Sequence, residues 1–173
     1  YGEHLFSHDE STIYVKEMLE KGHSVLIEEK LCGQEFSFIT FTDGYTFLDC
    51  PPLQDYKRLY NNDEGPNTGS MGCYTYYDHE SQIHTLPFLT THDIESASHV
   101  NRTIIQDLND YFQNKYSYSF KYRGILYGSY IKTNDNKLKI IEFNARLGDP
   151  EAIPLMNNIN MSKLLIHVEN MTL

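Results

Sequence analysis

From Glu142 to Glu151 the chain reads Glu-Phe-Asn-Ala-Arg-Leu-Gly-Asp-Pro-Glu. The apolar run Leu138, Ile140, Ile141 ahead of it predicts a buried strand. Strand side chains alternate between faces, so Glu142 and Asn144 leave one face and Phe143 the other. A carboxylate and an amide carbonyl on one face are hard oxygen ligands, the type Mg²⁺ prefers when nucleotide phosphates complete its shell. Arg146, Asp149 and Glu151 crowd the turn beyond, where Gly148 and Pro150 constrain the backbone. The bland alternative for an isolated Glu-x-Asn is a solvated strand-to-helix turn.

Two other stretches carry charge or glycine where chemistry could use them. Asp55-Tyr56-Lys57-Arg58 places two cations in a segment rich in Gly and Asn. Transfer of a phosphoryl group needs such fixed positive charge in a water-poor site, although a Lys-Arg pair on a surface is most often solvated and idle. Gly65-Pro66-Asn67-Thr68-Gly69-Ser70-Met71-Gly72 holds three glycines, which let the backbone approach a ligand and present N–H groups to anionic oxygens. His79, His84, His92 and His99 cluster in sequence, but with no zinc spacing and no Cys partner, so no metal site is expected there. Tyr116, Tyr118, Phe120 and Tyr122 alternate like a packed strand face.

Taken together, these strings resemble the glycinamide ribonucleotide synthetase (phosphoribosylamine–glycine ligase) family, ATP-grasp enzymes of purine biosynthesis. That family writes them close to I-E-F-N-x-R-[FL]-G-D-P-E, D-H-K-R and G-P-N-T-G-G-M-G-A-Y. Glu28-Glu29-Lys30-Leu31-Cys32-Gly33-Gln34-Glu35 is similar to its E-E-x-L-x-G-x-E. The resemblance runs from about Ser24 to about Pro154 and implies an α+β, ATP-grasp fold: the C-terminal part of that module, a largely antiparallel sheet with flanking helices. Residues 1–173 would form a single partial domain, without the family's N-terminal domain, phosphate loop or C-terminal domain.

The implied reaction joins glycine to 5-phosphoribosylamine through a glycyl phosphate, with ATP and Mg²⁺ (or Mn²⁺) as cofactors. The implied roles are adenine contacts along Glu28, Glu29, Lys30 and Leu31, and ribose hydroxyls on Glu35, whose carboxylate accepts from two donors at once. Glu142 and Asn144 take the metal. Lys57, Arg58, Arg146 and Asp149 are implied in catalysis, and Asp55, Asn67, Thr68, Gly69, Gly72, Pro150 and Glu151 in binding substrate. The rest of the ligase would act in cis or in trans. Three positions depart from the family: Tyr56 for His, Ser70 for Gly, and Ile153 where a Gln or Glu stands two places beyond the last Glu. The alternative reading is a non-catalytic nucleotide-binding module.

The elements that must position these residues are partly legible. A capping box at Ser7–Glu10 opens a helix through Ile13, Tyr14, Met18 and Leu19, closed by Gly22. Ser24–Leu31 predicts a buried strand and Glu35–Phe41 a half-buried one, with a hairpin at Asp43-Gly44 returning through Tyr45 to Leu48. From Pro51 to Tyr74 no periodicity survives, which predicts an active-site loop. Asp93–Lys115 predicts a helix with Ala97, Val100, Ile104, Leu108, Tyr111 and Phe112 inward, capped by Thr90 or Asp93. Strands over 124–132 and 137–143 flank a turn at 134–136, and a last helix is predicted over 162–170.

Composition bounds the rest. The 173 residues carry a net charge of −10, which argues against a general binder of nucleic acid or anionic membrane. No apolar run reaches membrane-spanning length and no signal-peptide pattern opens the chain, so a cytoplasmic protein is expected. Cys32, Cys50 and Cys73 lack CxxC spacing and read as reduced thiols. The sequons at Asn101, Asn160 and Asn170 read as chance, and the initial Tyr predicts a piece of a longer product.

Overall fold

The computed structural model describes residues 7–80, 83–116 and 119–158. The predicted helix over 162–170 and Tyr118 of the aromatic stripe lie outside them. The chain separates into two compact units, Tyr1–Cys32 and Gly33–Leu173.

In the first unit α1 (His8–Glu20) starts as its capping box dictates. The Ser7 hydroxyl accepts from the Glu10 amide at 3.2 Å, and the Glu10 carboxylate accepts from the Ser7 amide at 3.1 Å. Gly22, at φ +78°, ends the helix, its amide and that of His23 closing on Leu19 and Met18 carbonyls at 3.0 Å each. This is the left-handed stop that glycine favours. No side chain of α1 is buried. The predicted buried strand over Ser24–Leu31 does not form: the segment is irregular, with Leu26 80% and Ile27 77% exposed. An apolar run becomes a strand only where a neighbouring strand pairs with it and a core covers it, and among the described residues no ladder includes this one.

The second unit begins with β1 (Gly33–Thr42) and β2 (Phe47–Asp49), joined by the predicted turn, in which Asp43 Oδ1 accepts from the amides of Tyr45 and Thr46. Six short strands follow: β3 (Gln54–Asp55), β4 (Arg58–Tyr60), β5 (Glu64–Asn67), β6 (Cys73–Tyr74), β7 (Tyr76–Asp78) and β8 (Ile83–Thr85). Then come α2 (Thr91–Tyr116), β9 (Gly124–Thr133), β10 (Leu138–Asn144) and α3 (Ala152–Asn158). The main sheet has the order β10-β9-β1-β2 and every pairing in it is antiparallel. This is the expected α+β arrangement. Among the described residues no helix is long and apolar enough to cross a membrane.

Alternation along β1 divides the apolar residues between two cores. Phe36 and Phe38 pack with Tyr130 of β9, Leu86 and Ala97 of α2 on one face. Ile39 and Phe41 pack with Cys50, Leu53, Tyr127 and Leu155 on the other. Helix α2 is capped by Thr90, whose hydroxyl accepts from the Asp93 amide while the Asp93 carboxylate accepts from the Thr90 amide at 2.8 Å.

The buried line of α2 differs from the predicted stripe: it is Asp93, Ala97, Asn101, Ile105 and Asn109, whereas Tyr111 is exposed. Polar side chains can be buried when fully bonded, and Asn101 is. Its amide donates to the Phe38 carbonyl at 3.1 Å and the Thr40 hydroxyl at 3.0 Å, and accepts from the Tyr130 hydroxyl at 2.6 Å. The Asn101 sequon is therefore sealed in the core.

Strand β10 is an edge strand, not the buried one its β-branched run predicts, and Ile140 and Ile141 are exposed. It also carries a bulge. Ile140 stands opposite Tyr130 and Glu142 opposite Ser129, leaving Ile141 with no opposite number.

Candidate functional site

That extra residue decides which face the metal-type ligands occupy. A one-residue shift of register moves every later side chain to the other face. With Ile141 left out of the ladder, Glu142 stands in one row with Ser129 and Ser37, and Asn144 in one row with Tyr127 and Ile39. Phe143 points the other way and meets Tyr130 edge-on at 6.5 Å. The Asn144 amide donates to Glu142 Oε1 at 2.9 Å, so the two side chains are adjacent, and turning the amide over would bring two oxygens together. This donor set fits a hard divalent cation. Among the described residues no three His, Cys, Asp or Glu side chains are grouped to hold a metal, so the chain offers this face as a two-ligand site that needs phosphate oxygens or water to complete it.

The residues above that face are brought in by backbone pairing. Ser37 and Leu53 exchange both main-chain hydrogen bonds, at 2.7 and 2.9 Å, which lays the following residues across β1. Glu35, Phe36, Ser37, Asp55, Lys57 and Ser129 then line a small depression open to solvent. Lys57 Nζ donates to Glu35 Oε2 at 2.9 Å. Burial works against the Lys57 ammonium, but the bond and charge of Glu35, with Asp55 and Glu151, hold it above the usual lysine value. Burial lifts the Asp55 carboxyl above the ordinary range; the Ser70 bond opposes this, Glu151 and Glu35 add to it, and Lys57 opposes it.

The stretch from Pro51 to Tyr74 is not the irregular loop that its lost periodicity predicts. Strand β3 pairs with β6 and β4 with β5, with Tyr56 and Gly72, Tyr56 and Met71, and Lys57 and Thr68 bonded between them. Each of these strands is two to four residues long, too short for a period of two to register. The Asp-Tyr-Lys-Arg and Gly-Pro-Asn-Thr strings thus form one zipped unit. Thr68 spends its amide and its hydroxyl on the Lys57 carbonyl, at 2.6 and 2.9 Å. Arg58 Nη1 donates to the Gly65 carbonyl at 2.8 Å, and the φ of +85° at Gly65 leaves no room for a side chain beside the Tyr60 ring. Asn67 and Gly69 are exposed and Gly72 is half-buried.

Two of the three departures from the family pattern, Tyr56 and Ser70, have local explanations here. Tyr56 stacks on Tyr74 at 5.8 Å. Ser70 is not among the positive-φ residues, and its hydroxyl donates to Asp55 at 2.5 Å and accepts from the Gly72 amide at 3.0 Å. Ile153 is 65% exposed on α3; nothing in the structure explains an apolar side chain there.

Glu151 is inside the protein, 3% exposed. Its Oε1 accepts from the Tyr127 hydroxyl at 2.7 Å and the Ser37 hydroxyl at 3.2 Å, and those two hydroxyls lie 2.5 Å apart. Burial raises the Tyr127 phenol well above its usual value. A Cβ on Gly148 would lie 2.2 Å from Glu151 Oε2, so only glycine admits this carboxylate. Pro150 is half-buried, Asp149 and Arg146 are exposed, and Arg146 Nη1 donates to the Leu147 carbonyl at 2.9 Å. The Cys73 thiol is pushed up to about 12 by burial, with the charges of Glu151 and Asp55 adding, and is unreactive for that reason.

Of the predicted residues, Glu35, Asp55, Lys57 and Glu151 gather around the face that carries Glu142 and Asn144. Arg58 is turned to the hairpin backbone. Glu28, Glu29 and Lys30 are exposed and Leu31 half-buried in the first unit. Sequence reading missed Ser37, Tyr127 and Ser129. Their signal was the register of β1 against β9, which no single strand reveals. The histidines of the β7–β8 region make ring contacts with Tyr77, His79 at 5.1 Å and His84 at 4.9 Å.

Residues 5–152 match the family described as phosphoribosylglycinamide synthetase, ATP-grasp (A) domain. The phosphoribosylamine–glycine ligase of Methanocella arvoryzae is 38% identical over 156 residues, 90% of this chain and 33% of the relative. That of Methanococcus maripaludis strain C5 is 40% identical over 158 residues, again 90% and 33%. The crystal structure of the Thermotoga maritima enzyme of the same name aligns with a TM-score of 0.47 at 31% identity, covering 79% of this chain and 34% of that one. The chain spans about a third of the length of the curated relatives it matches.

Proposed function

The chain belongs to the phosphoribosylglycinamide synthetase family through its ATP-grasp domain, and on that premise we propose that it is the part of a ligase that joins glycine to 5-phosphoribosylamine at the expense of ATP. The observation that carries this reading is the match to relatives of that name across the same residues that build the carboxylate-bearing face. We read both compact units as parts of one ATP-grasp domain over residues 1–173, because the family match runs through both. The rest of the ligase, in cis or in trans, completes the reaction, which takes place in the cytoplasm.

In this reading the glycine carboxylate attacks the γ-phosphorus of ATP and ADP leaves. The amine of phosphoribosylamine then attacks the acyl carbon and phosphate leaves. Glu142 and Asn144 would hold Mg²⁺ (or Mn²⁺), which when bound neutralises charge on the phosphate oxygens. The backbone from Glu28 to Leu31 takes the adenine edge and Glu35 the ribose hydroxyls. Lys57, kept protonated by its acidic neighbours, supplies positive charge to the transferring group, with Arg58, Arg146 and Asp149 assisting. Asp55, Asn67, Thr68, Gly69, Gly72 and Pro150 line the substrate side. Glu151, though assigned with them, reaches the substrate only through the groups it holds.

The test is ADP release by the complete ligase. It should require both glycine and phosphoribosylamine and be indifferent to bicarbonate. Release driven by bicarbonate would move the protein to carboxylase chemistry, and binding of Mg²⁺-ATP with no release under any substrate would favour the non-catalytic module.

A further inference from the structure

Lys57 and Glu35 carry separate roles in the proposed reaction, yet the structure joins them. Their ion pair, at 2.9 Å, sits on the wall of the depression lined by Ser37, Asp55 and Ser129. The two side chains are 43% and 45% exposed, so water reaches both ends, and such a pair exchanges readily. The Lys57 backbone, by contrast, is fixed by the two bonds from Thr68. Only the side chain is free to swing.

We propose that Lys57 is a displaceable counter-ion for Glu35. A vicinal diol entering the depression takes over the Glu35 carboxylate with its two O–H donors and releases the ammonium, which Asp55 and Glu151 keep protonated. Nucleoside occupancy thereby frees a cation for an anionic group nearby. This rests on the reading of Glu35 as the ribose acceptor.

The test uses the complete ligase with two probes, adenosine and 2′,3′-dideoxyadenosine, titrated by heteronuclear NMR. Lys57→Met should bind adenosine about two- to fivefold more tightly than the unaltered ligase, the range an exposed ion pair is worth. It should leave dideoxyadenosine unaffected. Raising the salt concentration screens the pair, so it should tighten adenosine binding to the unaltered ligase and leave Lys57→Met unchanged. Equal or weaker adenosine binding by Lys57→Met, or binding to the unaltered ligase that falls with salt, overturns the proposal. If Glu35→Gln weakens adenosine binding while Lys57→Met changes nothing, only the counter-ion role falls. If Glu35→Gln binds adenosine as well as the unaltered ligase, or if neither protein binds it, the ribose assignment falls as well.

Discussion

Two carboxylates near the same depression live under opposite conditions. Glu151 is 3% exposed and accepts two buried hydroxyls, with the backbone of Gly148 against its other oxygen. Glu35 is half open to water and meets one flexible ammonium. A buried carboxylate is tolerable only when its partners are fixed, so Glu151 ties the turn after β10 to β1 and β9. An exposed one gains little from its partner and can trade it for another. The family resemblance made both of them binding residues; burial separates the one that holds the fold from the one that can meet a ligand.

The largest effect should come from the exposed side. Glu142→Ala in the complete ligase should lower turnover by roughly a thousandfold, about 4 kcal/mol of transition-state stabilisation. Its urea melt should coincide with that of the unaltered protein, and near-normal turnover would remove the metal assignment. On the buried side, Glu151→Ala should destabilise the fold by about 3 kcal/mol, because it opens a void and removes the acceptor that the Tyr127 and Ser37 hydroxyls share, leaving one O–H of that pair without a partner. A melt unchanged by that substitution would erase the contrast with Glu35. Gly148→Ala pushes a methyl into the same carboxylate and should cost about 2 kcal/mol in the same melt.

Tyr127→Phe removes one of the two donors and should cost about 1 kcal/mol. The smallest effect is expected at Asp55, which stands between the two conditions. Its carboxyl is raised in the fold, mainly by burial, so the protonated form is the one the fold favours. Its contribution to stability is complete below the ordinary aspartate value and is lost as pH rises through the higher folded value. Asp55→Asn should therefore be slightly more stable than the unaltered chain at neutral pH and lose that advantage in acid. An advantage that grows as the pH falls would reverse the assignment.

What the sequence made legible was local. The Ser7–Glu10 capping box, the Asp43-Gly44 turn and the shared face of Glu142 and Asn144 each depend on a few neighbouring residues, and each is found as expected. What escaped depends on partners far along the chain. Val25, Leu26 and Ile27 have the composition of a strand but pair with none among the described residues. Asn101 is polar by type and buried because Phe38, Thr40 and Tyr130 happen to satisfy it. The ladders that join Asp55–Arg58 to Asn67–Tyr74 are too brief to print a period. The functional strings themselves were legible as a resemblance, while their geometry, with Lys57 on Glu35 and Glu151 under Tyr127, was not.

The bulge at Ile141 has a consequence for how this segment can change. Ile141 is exposed and has no opposite number, so the identity of its side chain counts for little. What counts is that the ladder skips it. Were Ile141 paired with Ser129 instead, Phe143 would turn toward the ligand face and Glu142 and Asn144 toward the face of Tyr130. Deleting it would leave Ile140 opposite Tyr130 and Glu142 opposite Ser129, the pairs they form already. A point substitution and a single-codon deletion there should therefore both keep the two ligands on their face, whereas a further residue drawn into the ladder would turn them away. At this position the chain depends on a link left out of the pairing.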